Sequence, residues 1–329
     1  MKRQKMTNKK LKVAAGHYHL FHRVAPTVAK AKGYFREEKL EVEISATGTD
    51  VKSLEALMKN EMDIIIDLKT PVALQARDRG EEVFLIGGFL NTYPGIFVGA
   101  KEIRSVTDLK GKKVGLREPN GVALTMSSMI LKKAGMEPDG DVIFIPHTGA
   151  SSFRSIAPKL DRGQIQARIA HKAYASDFKQ AGYPILADLE EYLPNGYQLR
   201  AIAAKGSFLE RNPETVVSFL AALIRGYRFM KNPKNHPEMM AIIKASELEF
   251  EQDMDQGMWA EEYPLIAGIP ADGSINVAGL QVILDEEKIA RRISPAMTVE
   301  RIIRLEYVQK ALQESTGGKA SMVSGSIRQ

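Results

Sequence analysis

Apolar residues along this chain alternate between short strand-like runs and stretches with helical spacing, the pattern of an α/β protein with largely parallel sheets. Residues 11–15 predict a first strand. A helix is expected over 26–35, with Pro26 in its first turn and Gly33 loosening its end. Residues 42–46 alternate as a second strand. Residues 50–59 predict a helix with Asp50 as N-cap and Leu54, Leu57 and Met58 inward. The isoleucine run at 63–67 reads as a buried strand. A helix over 70–79 and a strand over 83–87 then complete a β-α-β-α-β-α-β run.

The pattern restarts after residue 95. Strands are expected at 95–99, 114–116, 142–145 and 167–170, separated by a helical turn over 105–113, a helix over 122–134 and another ending at Asp161. Residues 197–203 predict a strand leading back to the first unit. Beyond Gly206 the spacing turns helical, with Asn212-Pro213-Glu214 opening a helix to Met230 and further helices near 237–246, 251–263, 276–288 and 298–313. The expected organisation is a basic tail (1–10), a split first lobe (11–95 and 204–315), an inserted second lobe (96–203) and a disordered tail (316–329).

Length agrees with two lobes, since 329 residues suit two domains better than one. The absence of cysteine excludes disulfides, thiolate metal sites and cysteine nucleophiles. The formal charge of +6 suggests a nucleic-acid partner only until it is located: the first ten residues carry five cations and no acid, and the remainder is nearly neutral. No basic face for nucleic acid is therefore expected. Lys12 and the polar run from His17 interrupt any apolar stretch near the N-terminus, and no run is long enough for a transmembrane segment. The expected location is the periplasm if an export signal has been removed, and the cytoplasm if Met1 is the native start.

Four strings carry a family resemblance. Val28-Ala29-Lys30-Ala31-Lys32-Gly33-Tyr34-Phe35, followed by Leu40-Glu41-Val42-Glu43, resembles the opening of nitrate-, sulfonate- and taurine-binding solute-binding proteins, a group that includes the NMT1/THI5-like thiamine-precursor proteins. Asp108-Leu109-Lys110-Gly111-Lys112-Lys113-Val114-Gly115 resembles the entry into that family's second lobe. Lys132-Lys133-Ala134-Gly135-Met136 and Leu209-Glu210-Arg211-Asn212-Pro213-Glu214 resemble two later signatures in the same order. The resemblance implies a type II periplasmic-binding-protein fold: two α/β lobes joined by two hinge strands, with a helical C-terminal extension and a ligand held between the lobes. It further implies a small organic anion as ligand, an ABC-type permease as partner and a monomeric state. The chain departs from its relatives in lacking the Trp-Thr-Pro-Asn loop of the thiamine-precursor members, and in carrying Asn120-Gly121 where sulfonate binders offer Gly-Ser.

Ligands of α/β sheets bind outside the carboxyl ends of the strands. The residues expected there are His17, His19 and His22 after the first strand, Lys69 and Thr70 after the third, and Asn91 after the fourth. In the second unit they are Arg117, Asn120 and Gly121, then His147, then His171 with Lys172. Five of the six histidines fall on these loops. Imidazoles with Lys69, Arg117 and Lys172 suit an anion, and the helix start at Asn120-Gly121 offers free backbone amides. His17 and His19 share the spacing of a metal pair, although neither a metal nor a cofactor is expected. An acid/base role for His17, His19 and His171 would make the chain a cytoplasmic enzyme acting on an aromatic acid, decarboxylase- or desulfinase-like. No standard nucleotide-binding, serine-hydrolase or zinc-protease motif is present. The principal expectation is thus a binding protein for a small organic anion such as a sulfonate or aromatic carboxylate.

Overall fold

The computed structural model describes residues 8–16, 20–117, 122–147, 149, 151–246 and 263–317. Contacts divide the chain into two compact units, Met1–Thr92 with Tyr197–Gln329, and Tyr93–Gly196. The first unit contains β1 (Lys9–Ala15), β2 (Leu40–Ala46), β3 (Ile64–Lys69) and β4 (Val83–Leu90). The second contains β5 (Gly95–Gly99), β6 (Lys113–Leu116), β7 (Ile143–Pro146), β8 (Ala167–His171) and β9 (Ile185–Asp188), and the chain returns to the first as β10 (Arg200–Lys205).

The first sheet has the order β2-β1-β3-β10-β4. β1 pairs parallel with β2 from Lys9↔Leu40 to Ala15↔Ala46, and with β3 at Val13↔Ile64. β10 lies antiparallel between β3 and β4. All of β4 is buried, as is β3 up to Leu68, because these strands are covered on both faces. That double coverage is why they read as continuous apolar runs rather than as alternation. The second sheet repeats the plan in the order β7-β6-β8-β5-β9, with β6 parallel to β7 and β8, and β5 antiparallel to β8 and β9. The odd strand in each sheet is the one on which the chain enters that unit from the other. β9 escapes the sequence pattern because its four residues are too few to show a period and three of them are only half-buried.

Helix boundaries differ from the pattern in three places. The first helix runs Leu20–Ala31, so Pro26 lies inside it rather than in its first turn. Phe21, Val24, Ala25, Val28 and Ala29 are all buried, and that continuous apolar face offsets the roughly 3 kcal/mol cost of an internal proline. The helix Asp50–Met58 is capped by Thr49, whose hydroxyl accepts from the Lys52 amide at 3.2 Å, while Asp50 turns inward. The final helix is Leu305–Gly317, not one from 298. Residues 302–304 are drawn instead to β4, where Leu85 donates to Ile302 O at 2.8 Å and accepts from Arg304 N at 2.9 Å. The helix expected over 251–263 lies outside the described residues apart from Tyr263.

The helix Pro213–Lys231 buries thirteen of its residues and is the core of the first unit. A Cβ at its Gly226 would sit 2.8 Å from Ala25 O, so only glycine lets the helix Leu20–Ala31 pack this closely. Among the described residues no helix is long and apolar enough to cross a membrane.

Candidate functional site

The carboxyl end of the first sheet holds a buried charged cluster. Asp67, fully buried near the end of β3, accepts the Gly16 amide through Oδ1 at 2.6 Å. A Cβ on Gly16 would lie 3.3 Å from that same oxygen, so a larger residue here would have to push the carboxylate aside by a few tenths of an ångström. His22 Nδ1 lies 2.6 Å from Asp67 Oδ2, off the line of a straight hydrogen bond. The His22 ring is stacked on Phe89 at 6.0 Å and edge-on to Phe21 at 5.4 Å. Arg200 donates through Nη1 to Asp50 Oδ1 at 2.9 Å and to the Asp67 carbonyl at 2.5 Å. Asp50 also accepts the Lys69 amide at 2.9 Å, and Lys69 Nζ is 4.0 Å from its Oδ2. The two carboxylates are therefore balanced by Arg200 and Lys69. His22 can meet Asp67 as a neutral imidazole with its proton on Nδ1.

A second set of charged and imidazole groups lies on β8 and directly after β6 and β7. Arg168 projects from the middle of β8, is almost fully buried, and donates through Nη2 to Gly149 O at 3.0 Å. Burial lowers its pKa to about 10, the nearby Arg117 guanidinium lowers it further, and Tyr93 opposes the shift. His147, directly after β7, is buried, and neither ring nitrogen has a hydrogen-bond partner among the described residues. Burial drives its pKa down to about 4, helped by the charges of Arg168 and Lys159 and partly opposed by its own carbonyl. His171 ends β8; burial holds it down to about 4 as well. Its Nδ1 accepts the Ala173 amide at 3.1 Å, which fixes the neutral tautomer with the proton on Nε2. By strand alternation Arg168 and His171 leave β8 on opposite faces. Charge thus links Arg168 with Arg117, and the buried His147 with Arg168 and Lys159.

The residues expected from sequence fare differently. His17, His19, Asn120 and Gly121 lie outside the described residues. His22 sits in the first turn of a helix rather than on a loop. Thr70 is fully buried and donates to Gln198 O at 2.5 Å, so its hydroxyl ties β3 to the segment before β10. Asn91 donates to Ser274 O at 2.8 Å and braces the end of β4. Lys172 is drawn away by Asp188 at 2.7 Å and Glu190 at 2.5 Å, whose hydrogen bonds raise its pKa. Arg117 is exposed at the end of β6. Asp50, Arg168 and Arg200 were not expected as members of these clusters. For the two arginines a signal was available: an arginine within a mostly apolar strand needs a partner or a function, because burying a charge alone is costly.

The sequence profile described as NMT1/THI5 like matches residues 24–238. The Bacillus subtilis (strain 168) protein named "Putative binding protein YtlA" is 27% identical over 236 residues, covering 70% of this chain and 69% of that protein. The periplasmic sulfonate-binding protein SsuA of Methylobacillus flagellatus KT superposes with a TM-score of 0.72 at 14% identity, covering 94% of this chain and 96% of that one. The desulfurization enzyme DSZB superposes with a TM-score of 0.62 at 13% identity, covering 93% of this chain and 99% of its own. At these identities the two structural likenesses speak for the fold alone, which is the periplasmic-binding-protein fold.

Proposed function

The chain belongs to the NMT1/THI5-like family, and on that premise we propose that it binds a small organic anion as the substrate-binding component of an ABC-type uptake system. The observation that carries the reading is the buried Arg168 guanidinium on β8, which feels the charge of Arg117 and acts on the buried His147. Arginine offers a planar fork of donors that matches a carboxylate or sulfonate and stays charged at every physiological pH. Arg117 and His147 directly follow β6 and β7, the usual ligand position of an α/β sheet. The reading carries with it a periplasmic site of action and an ABC permease as the receiving partner. The finer ligand class within it is a sulfonate or an aromatic carboxylate.

The test is thermal stability against aliphatic and aromatic sulfonates, aromatic carboxylates and pyrimidines, with mass spectrometry of each mixture afterwards. A ligand at 100 times its Kd adds about 2.7 kcal/mol of stability. The expected result is stabilisation by an anion that is recovered unchanged, and loss of that effect in Arg168→Met. An anion response that survives Arg168→Met would refute the site.

One observation favours a second reading. Asp67 Oδ2 stands 2.6 Å from His22 Nδ1, and a carboxylate this close to one ring nitrogen would, once aligned, orient the imidazole for proton transfer at the other. Under that reading the chain is an enzyme acting on an aromatic acid. Consumption of the stabilising compound, abolished by His22→Gln without loss of affinity, would establish it in place of the first.

A further inference from the structure

Three arginines meet at the start of β4, at the opposite end of the first sheet from the strand ends where an α/β protein holds its ligand. Arg77 lies in the last turn of the helix Thr70–Asp78, Arg301 ends the short turn Val299–Arg301, and Arg304 precedes the helix Leu305–Gly317. The guanidinium carbons of Arg77 and Arg304 stand 4.4 and 4.0 Å from the centre of the buried Phe84 ring on β4. Sharing one ring brings two like charges together, and Arg301 adds a third. Burial lowers the pKa of Arg77, the charges of Arg304 and then Arg301 lower it further, and Glu82 opposes. Each guanidinium is held in place without being neutralised. Arg77 donates through Nε to Arg301 O at 2.9 Å and through Nη1 to Glu81 O at 3.1 Å. Arg301 donates to Ala296 O at 3.3 Å, and Arg304 to Ile303 O at 2.9 Å. All of these acceptors are main-chain carbonyls, which fix a guanidinium but carry no net charge. The carboxylates nearby are placed elsewhere: Glu81 is taken by Arg79 at 2.8 Å, Glu82 is exposed and acts on Arg77 through its charge alone, and Glu210 and Glu306 share with Arg304 the surroundings of Tyr307. Arg301 is exposed and Arg77 and Arg304 are half-buried, so the cluster is reached from solvent without any movement of the chain.

We propose that Arg77, Arg301 and Arg304 form a second anion site, for a tetrahedral dianion of the phosphate or sulfate type. Guanidinium forks match the paired oxygens of such an ion, and stacking on Phe84 with bonds to carbonyls fixes the forks before it arrives. Its two charges offset the excess of three guanidiniums over the single acid, Glu82, that acts on Arg77. The site joins three segments far apart in the sequence: the helix Thr70–Asp78, β4, and residues 302–304, which bond to Leu85. A dianion bound there ties the C-terminal segment to the first sheet. Its role is to stabilise that unit, and it stands apart from the organic anion proposed for Arg168.

The test is calorimetry and thermal unfolding of the full chain in inorganic phosphate and in sulfate, against chloride at matched ionic strength. It is run at about pH 7.5, where a phosphate group is mainly dianionic. Three charge-assisted contacts at a partly exposed site imply a Kd of about 1 mM for either dianion. At fifty times that concentration Tm should rise by about 4 °C over the chloride control. Arg304→Gln should weaken binding about tenfold. Arg301→Glu, a charge reversal at an exposed side chain, should abolish it and decides the matter where Arg304→Gln does not fold. The response should persist in Arg168→Met, which removes the contact proposed for the organic anion. A dianion effect no larger than that of chloride overturns the inference, as does any pattern other than loss in Arg301→Glu with retention in Arg168→Met. Failure of every organic anion to stabilise the protein, with the dianion response intact, removes the proposed function and leaves this site standing.

Discussion

Glu286 offers the sharpest quantitative test of the energetics. It lies on the helix Val277–Ile289 and accepts the Tyr197 hydroxyl at 2.9 Å through Oε2, while its buried Oε1 has no partner among the described residues. The cation nearby, Arg292, is committed to Glu287 through contacts of 2.6–3.0 Å, and Gln75 also donates to Glu287 at 2.8 Å. Burial raises the Glu286 pKa from 4.5 to about 7; the charges of Glu287 and Asp285 push the same way, and the Tyr197 hydrogen bond and Arg292 oppose. A carboxyl whose folded pKa lies above its unfolded value stabilises the fold at low pH. That contribution is complete below 4.5 and is lost as pH rises through 7. At 1.36 kcal/mol per pH unit the whole effect is bounded by about 3 kcal/mol, and partial exposure reduces it to about 2 kcal/mol. Glu286→Gln keeps an acceptor for Tyr197 and removes the charge. At pH 8 the variant should gain about 2 kcal/mol, a rise of roughly 4–6 °C in Tm. At pH 5 the gain should shrink below about 1 kcal/mol, because the wild-type group is then protonated in the fold. Scanning calorimetry of both proteins from pH 5 to 8 reads the difference directly. His147 and His171 titrate with the opposite sign, losing stability as pH falls from 6.5 toward 4, but they are common to both proteins and cancel. A gain that is the same at pH 5 and pH 8, or a loss at pH 8, would refute the reasoning.

Three further outcomes are expected. Asp50→Asn removes the carboxylate that holds Arg200 and the Lys69 amide, and urea unfolding should show a loss of about 3 kcal/mol, as for other broken buried pairs; a change under about 1 kcal/mol would show the cluster to be solvated. A Cβ at Gly88 would lie 2.0 Å from Ser274 O and 2.7 Å from Asn91 Oδ1, so Gly88→Ala should cost about 3 kcal/mol or prevent folding, and near-neutral behaviour in the same assay would contradict the packing of β4. Because burial holds His147 and His171 near 4, anion affinity should stay flat between pH 5.5 and 8; a change of more than about threefold centred near 6.5 would mean that an ordinary histidine carries the binding.

What the sequence makes legible follows from how far each interaction reaches along the chain. The strands β1 to β8 announce themselves because strands covered on both faces, such as β3 and β4, demand apolar runs and a half-covered strand such as β2 alternates, and both patterns are local. The four family strings are local too, and the profile match over residues 24–238 covers most of the span they mark. Side-chain partnerships are not local. Asp50 looks like an N-cap from its neighbours, and only Arg200, 150 residues later, explains why it turns inward while Thr49 caps the helix. Lys172 looks like a ligand cation until Asp188 and Glu190 take it, and Thr70 looks like a cleft hydroxyl until Gln198 does.

The histidines show the same limit from the other side. Counting them on strand ends treats imidazoles as interchangeable, yet the described ones do three different things. His22 meets Asp67, His171 is fixed as an Nε2–H donor by the Ala173 amide, and His147 is buried with neither nitrogen hydrogen-bonded among the described residues. What separates them is the partner each backbone turn supplies, which no spacing rule contains. Arg168 marks a place where a stricter reading of the sequence would have flagged a buried charge. A guanidinium between Ala167 and Ile169 in a strand of five residues has no solvent to reach, so it must have been placed there to meet something. Buried charge within an apolar run is therefore the feature of the sequence that points most directly to the proposed site.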